Sequence, residues 1–192
     1  MLVAADDIKS ALEQLLPGVA VTVDALPAAP GLSAVPATAQ AGAAQAGGAL
    51  LVAPKDLAAV CRCLKEHERF GLDYLSNLTA VDYLPDPAGG ARPGDHEGRA
   101  GGTGRIDIVY HLYSMAKKHG PLTVKVQLPR AHPVVTSVTP IWRGAEFQER
   151  EVYDLFGVTF DGHPDLRRLL MWEGFEGHPM RKDYVVEDQD AR

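Results

Sequence analysis

Apolar residues recur at positions 8, 11, 12, 15 and 16, the i, i+3, i+4, i+7 rhythm of an amphipathic helix over residues 6–16. Asp6 is placed to cap it and Pro17-Gly18 to end it, and residues 19–23 follow as a short strand. Residues 50–53 resume a strand, and 54–68 read as a second helix. Its first turn accommodates Pro54, and Leu57, Val60, Cys61 and Leu64 form one apolar stripe. Residues 74–83 read as a strand. In 105–113, Ile106, Ile108, Tyr110 and Leu112 alternate with Arg105, Asp107 and His111. The clearest strand is 122–128, where Leu122, Val124, Val126 and Leu128 alternate with Thr123, Lys125 and Gln127. Period-two patterning with one wet face belongs to antiparallel sheets, so the two helices are expected on the other face.

Two segments interrupt this pattern. Residues 27–49 are rich in Ala, Pro and Gly without a single charge, and 85–104 are turn-rich; both read as flexible insertions. After Pro129 the character changes. Thr139-Pro140 is expected to open a helix that runs to Phe156 and is closed by Gly157. Beyond it lie about 35 residues rich in Gly, Pro and aromatics, too long for a plain connecting loop. Trp172, Phe175, Met180 and Tyr184 stand there beside arginines and acids, a mixture typical of interface cores. The tail is therefore expected to wrap a partner, the alternative being a tail folded onto its own domain. The predicted fold is α+β, a mostly antiparallel sheet covered by helices, over residues 1–130. A signature helix and an extended docking tail occupy 131–192.

Composition narrows the function. The 192 residues are 46% hydrophobic and 23% charged, with a net charge of −6. No basic stripe is available to neutralise phosphates or an anionic lipid surface. No apolar run approaches the ~20 residues that span a bilayer. Acids at the N-terminus, where a secretory signal carries positive charge, point to a cytoplasmic setting. Two cysteines, Cys61 and Cys63, cannot supply a four-cysteine cluster site. Any electrons must therefore travel through another chain.

The densest chemistry runs from Glu149, Arg150 and Glu151 through Asp154, His163, Asp165, Arg167, Arg168, His178 and Arg181 to Lys182 and Asp183. Glu146, Arg150 and Asp154 are spaced four apart, as in helical ion pairs. Glu149 shares the apolar face with Trp142 and Val152, so it must be paired with a tail arginine or titrate abnormally. Paired carboxylates of the glycosidase kind are no more evident than in most helices. His163, His178 and Asp165 have the chemistry of a zinc or iron site and would suit a small metal-dependent hydrolase. However, both histidines precede proline and match no ligand spacing. No nucleophile elbow, P-loop or dinucleotide fingerprint is present. The residues by themselves predict an interface-rich protein with no catalytic site of its own.

The run EREVYDLFGVTFDGHPDLRRLL followed by EGHPMRKDY resembles the signature of the C-type subunit of NADH-quinone oxidoreductase, respiratory complex I. The likeness extends upstream through LTAVDY and covers roughly residues 50–185. It implies a peripheral-arm protein that binds no redox centre, with FMN, iron–sulfur clusters and quinone held by partner subunits. The implied partners are chiefly the large quinone-facing D-type subunit and the B-type and I-type iron–sulfur subunits, on the cytoplasmic side of the bacterial inner membrane. Structural and docking roles fall to Glu149, Arg150, Glu151, Asp154, Gly157, His163, Pro164, Asp165, Arg167, Arg168, Gly177, Pro179, Arg181, Lys182 and Asp183. Related subunits serve membrane-bound hydrogenases and formate hydrogenlyases, which is the alternative setting. Both insertions are longer than the family core requires.

Overall fold

The computed structural model describes residues 5–24, 48–85 and 104–185. Strands β1 (Val21–Asp24), β2 (Ala49–Val52), β3 (Tyr74–Tyr83), β4 (Arg105–Ser114) and β5 (His119–Pro129) form one sheet in the order β1-β2-β5-β4-β3. All neighbours are antiparallel except β2 and β5, which pair parallel with Leu50 opposite Val124. The α+β class expected from the pattern is the observed one. Most of the two insertions falls outside the described residues. Ala49, assigned to the first of them, is instead a fully buried residue of β2.

Register explains the core. Leu78, Ala80 and Asp82 of β3 lie opposite Tyr110, Ile108 and Ile106, which lie opposite Val124, Val126 and Leu128. Helix α1 (Ala5–Leu15) contributes Ile8, Ala11 and Leu12, and α2 (Leu57–Glu66) contributes Leu57, Val60, Cys61 and Leu64. Full burial of a Leu or Val side chain stabilises by about 1.5–3 kcal/mol, so each stripe is enough to seat its helix. Asp6 lies inside the first turn of α1 rather than at its cap. Pro54 opens a single 3-10 turn ahead of α2, which ends two residues earlier than expected.

The expected wet face of β5 is not wet. Thr123 and Gln127 are buried, and Lys125 is nearly so. The Lys125 ammonium meets Asp24 of β1 at 3.0 Å, and the Thr123 hydroxyl meets His111 Nδ1 at 3.2 Å. Neighbouring strands thus satisfy polar side chains that alternation alone assigns to solvent.

Beyond β5 the chain forms β6 (Val134–Thr136), helix α3 (Ala145–Phe156) and β7 (Thr159–Asp161), with β6 and β7 paired parallel. α3 lies along the outer strand β3, where the Gln148 side-chain oxygen accepts from the Leu78 N–H. The indole N–H of Trp142 donates to the Leu72 carbonyl at 3.1 Å. Val152, Phe156, Val158 and Phe160 join the same core as the sheet. Thr139-Pro140 does not open the helix. Residues 139–141 and 143–144 are turns, and α3 starts after Gly144.

Candidate interaction surface

Two carboxylates on α3 organise the C-terminal third. Glu149 is completely buried. It accepts from the Ser137 hydroxyl at 2.6 Å, the Val138 N–H at 2.7 Å and the Thr139 hydroxyl at 3.1 Å. That grip explains the late start of the helix, because Thr139, expected to cap it, turns its hydroxyl onto a side chain about one turn into α3. Among the described residues no arginine pairs with Glu149; of the two expected outcomes it shows the abnormal environment, with hydroxyls, an amide and His163 at 3.9 Å around it. Burial pushes its carboxyl above the usual carboxylate range, against the opposing pull of those donors.

Asp154, also fully buried, has the opposite balance. Its Oδ2 accepts the successive backbone N–H groups of Leu169, Leu170 and Met171 at 3.0, 2.7 and 2.9 Å. Its Oδ1 accepts from Arg168 at 2.7 Å. Burial raises its carboxyl, but the N–H groups of Met171 and Leu170, the Arg168 guanidinium and the Leu169 N–H outweigh this and hold it below the usual range. Arg150 does not make the helical ion pairs its spacing suggested. It reaches the carbonyls of Arg167 and Arg168, both at 3.2 Å, with Asp165 at 3.9 Å. One face of α3 is therefore a template on which residues 165–171 are laid.

The two histidines complete that template. The His163 imidazole is wholly buried; Nε2 donates to the Glu146 carbonyl at 3.0 Å and Nδ1 accepts from the Asp165 N–H at 3.0 Å, which sets the proton on Nε2. His178 Nδ1 donates to the Asp154 carbonyl at 3.0 Å, and burial lowers its affinity for a second proton. Its ring rests on Gly157, the left-handed residue that ends α3 (φ +70°); a Cβ there would sit 2.4 Å from Nε2. Among the described residues no three His, Cys, Asp or Glu side chains converge as a metal site. Pro164 follows His163 at the surface, and Asp165 and Arg167 pair with each other at 2.9 Å in solvent. Cys61 is buried and Cys63 half-buried, both as free thiols.

The tail then returns to the body of the molecule. The Met180 N–H donates to the Leu155 carbonyl at 3.1 Å, and Arg181 Nε donates to the Phe156 carbonyl at 2.7 Å, capping the end of α3. Lys182 and Asp183 reach Asp82 at the end of β3 and Arg130 just after β5. Gly177 (φ +89°) leaves room for the Tyr184 ring, which stacks with Phe175; Phe175 in turn meets Trp172 edge-on. Pro179 is half-buried. Phe147, Leu170, Trp172 and Met180 are each more than half exposed, and Glu151 is exposed as well. Tyr184 and Phe175 are half-covered, stacked on each other.

Sequence reasoning missed Asp82 and Arg130. The signal was present: Asp82 occupies the position after Leu78 and Ala80 on an otherwise apolar strand face, where a carboxylate needs a partner. It also missed Ser137 and Thr139 as the ligands of Glu149, a pairing that only the turn geometry creates.

Residues 50–190 match the family model described as "Respiratory-chain NADH dehydrogenase, 30 Kd subunit". The C-type NADH-quinone oxidoreductase subunit numbered 2 in Rhizobium meliloti (strain 1021) is 41% identical over 145 residues, 76% of this chain and 70% of the relative. The corresponding C-type subunit of Moorella thermoacetica is 42% identical over 141 residues, 73% of this chain and 82% of the relative. The fold is shared with a chain of the membrane-bound sulfane sulfur reductase, an archaeal respiratory membrane complex (TM-score 0.61, 21% identity, 94% of this chain and 85% of that one). With its signature run intact and folded as a single unit on α3, the chain belongs to the family of the 30 kDa subunit of respiratory-chain NADH dehydrogenase, the C-type subunits of NADH-quinone oxidoreductase.

Proposed function

We propose that this chain is a cofactor-free peripheral-arm subunit of a proton-translocating NADH-quinone oxidoreductase. It scaffolds the quinone-reducing module, while partner subunits carry electrons from NADH through FMN and iron–sulfur clusters to quinone. The observation that carries this reading is the use made of the signature residues. Glu149, Asp154, His163, His178, Arg150 and Arg168 are all engaged with the backbone or with one another. Their joint product is a shaped segment, 165–184, with Leu170, Trp172 and Met180 turned outward. In this arrangement those side chains shape the backbone of the tail. An apolar surface rimmed by charge is what a permanent partner covers.

The partners in this proposal are the large quinone-facing D-type subunit and the B-type and I-type iron–sulfur subunits, at the cytoplasmic side of the bacterial inner membrane. Among the described residues no helix is long and apolar enough to cross a membrane. Membrane attachment in this reading therefore comes through those partners.

The test is affinity capture of the tagged chain from gently solubilised native membranes, with mass spectrometry and an NADH–quinone assay on the eluate. Co-elution of flavin and iron–sulfur subunits with quinone-linked NADH oxidation is the expected result. Nickel–iron subunits in their place would move the chain to a membrane-bound hydrogenase or formate hydrogenlyase. A chain that elutes alone would overturn the scaffolding role.

A further inference from the structure

The ends of three adjacent strands meet at one corner of the sheet. Tyr83 closing β3 lies opposite Arg105 opening β4, which lies opposite Pro129 closing β5. At this corner Asp82 is 2% exposed, and Arg130 grips it in bidentate fashion, Nε to Oδ1 at 2.7 Å and Nη2 to Oδ2 at 3.1 Å. A buried ion pair kept only for the stability of the sheet would be complete with those two bonds. This one extends further. Asp82 Oδ2 also accepts the backbone N–H of Lys182 at 2.9 Å, and Arg130 Nη2 also binds the Asp183 carboxylate. The Lys182 ammonium lies over the Tyr83 ring, 5.7 Å from its centre, on the same corner.

Residues 181–183 are thus pinned at two places, the carbonyl end of α3 through Arg181 and the sheet corner through Asp82 and Arg130. Met180, whose side chain is more than half exposed, lies directly before them. The orientation of that apolar group follows from where the two pins hold the backbone.

We propose that Asp82 and Arg130 are positioning residues for the C-terminal docking segment: they clamp residues 182–183 to the sheet corner, so that a partner meets a preformed surface rather than a strand it has to order. This inference rests on the docking role proposed above. Its physical basis is preorganisation, since a segment ordered before contact loses less conformational entropy on binding. The clamp acts at a distance, because Asp82 is buried and cannot itself touch a partner.

The experiment uses the full chain in two arms. In the first, amide exchange by NMR follows Lys182 in the native chain and in Asp82→Asn, with the amides of Ile108 and Val124 in the central strands as an internal check of folding. Native Lys182 should be strongly protected. In Asp82→Asn it should exchange about 10- to 100-fold faster, the ratio that loss of a hydrogen bond to a charged group carries, while the central strands keep their protection. Asp183→Asn, a change at an exposed residue that leaves the buried pair intact, should loosen Lys182 to a smaller degree. Gly104→Ala perturbs the same corner by another route, because a Cβ at this left-handed residue (φ +68°) would come within 2.8 Å of the Tyr83 carbonyl oxygen and 2.9 Å of Arg130 Cδ; its central strands must keep their protection for the comparison to count.

In the second arm each tagged variant is expressed in the native host, and the flavin and iron–sulfur subunits captured with it are quantified against the native chain. Capture should fall in the order in which Lys182 is loosened. Unprotected Lys182 in the native chain, or equal exchange in Asp82→Asn with intact central strands, would overturn the clamp. A loosened Lys182 with unchanged capture would overturn its positioning role while leaving the docking role standing. Failure of the native chain itself to capture any partner would instead remove the docking role, and the positioning role with it.

Discussion

Replacement of Asp154 by Asn keeps the shape of the side chain and removes its charge. One oxygen currently accepts three backbone N–H groups and the other an arginine. In the variant, if the amide oxygen stays on the three N–H groups, its NH2 faces the Arg168 donor; if it flips, the NH2 faces three donors. Hydrogen bonds to a charged group stabilise by about 1.5–3 kcal/mol and neutral ones by about 0.5–1.5. Three bonds weakened by about 1 kcal/mol each and one lost bond worth at least about 1.5 kcal/mol therefore sum to about 4–5 kcal/mol. Arg168 retains some exposure and recovers part of this from water, leaving about 3–4 kcal/mol. For a chain of this size that corresponds to roughly 6–16 °C in Tm. The assay is thermal unfolding of both chains from pH 8 to pH 3, with amide exchange at residues 169–171 as the local readout. Because the folded carboxyl titrates below its unfolded value, its stabilisation is present above the unfolded pKa of about 3.9 and is lost as pH falls through the folded value. The gap between the two chains should be constant from pH 8 to about 5 and should close on further acidification. Equal Tm values at pH 7 together with unchanged exchange at 169–171 would refute the assignment of Asp154 as the template for the tail.

Substitutions at four further positions follow from the same geometry. Glu149→Ala should lower stability by about 3 kcal/mol, since it strands the buried Val138 N–H and opens a cavity. Glu149→Gln should cost about 1 kcal/mol or less at pH 7. With its folded pKa raised, Glu149 contributes stability below its unfolded value of about 4.3 that is lost as pH rises through the folded value, so Gln should gain on Glu towards neutrality in chemical denaturation. Gly157→Ala should cost about 2–3 kcal/mol from its left-handed φ and the His178 ring, and His178→Ala should relieve part of that in a double-mutant cycle; strict additivity would contradict the contact. Tyr110→Phe should be neutral or stabilising by up to about 1 kcal/mol, because the buried Tyr110 hydroxyl finds no partner among the described residues; a clear loss of Tm would show that the hydroxyl is satisfied.

What could be read from the chain and what could not divide along the distance between partners. The long strands were legible because their pattern is local: β3 was placed to the residue, and β4 and β5 differ only at their ends. The apolar stripe of α2 was equally plain. Pairings between distant short segments were not. β6 and β7 are three residues each and pair across the whole of α3, so neither carries a period of its own. The parallel pairing of β2 with β5 joins positions more than seventy residues apart and gives no local signal. The start of α3 failed for a different reason. Thr139-Pro140 satisfies the local rules for a helix opening, but Glu149 takes the Ser137 and Thr139 hydroxyls and the Val138 N–H, and this tertiary demand overrides the local preference. Glu149 was correctly placed on the apolar face, while its partners depend on a turn that the sequence does not announce. Arg150 shows the converse, since its helical spacing suggested ion pairs and the tail carbonyls claimed it instead.

The central claim, that this chain shapes an assembly and leaves the chemistry to its neighbours, is tested most directly by separating amount from turnover. In a strain lacking the native copy, the chain and a Leu170→Glu, Trp172→Ala variant of its exposed face would each be supplied. NADH–quinone activity of the membranes would then be divided by the amount of flavin-containing complex assembled. The variant should form fewer complexes, each with an unchanged rate. A normal number of complexes with a reduced rate in each would contradict the central claim and place this chain within the reaction itself.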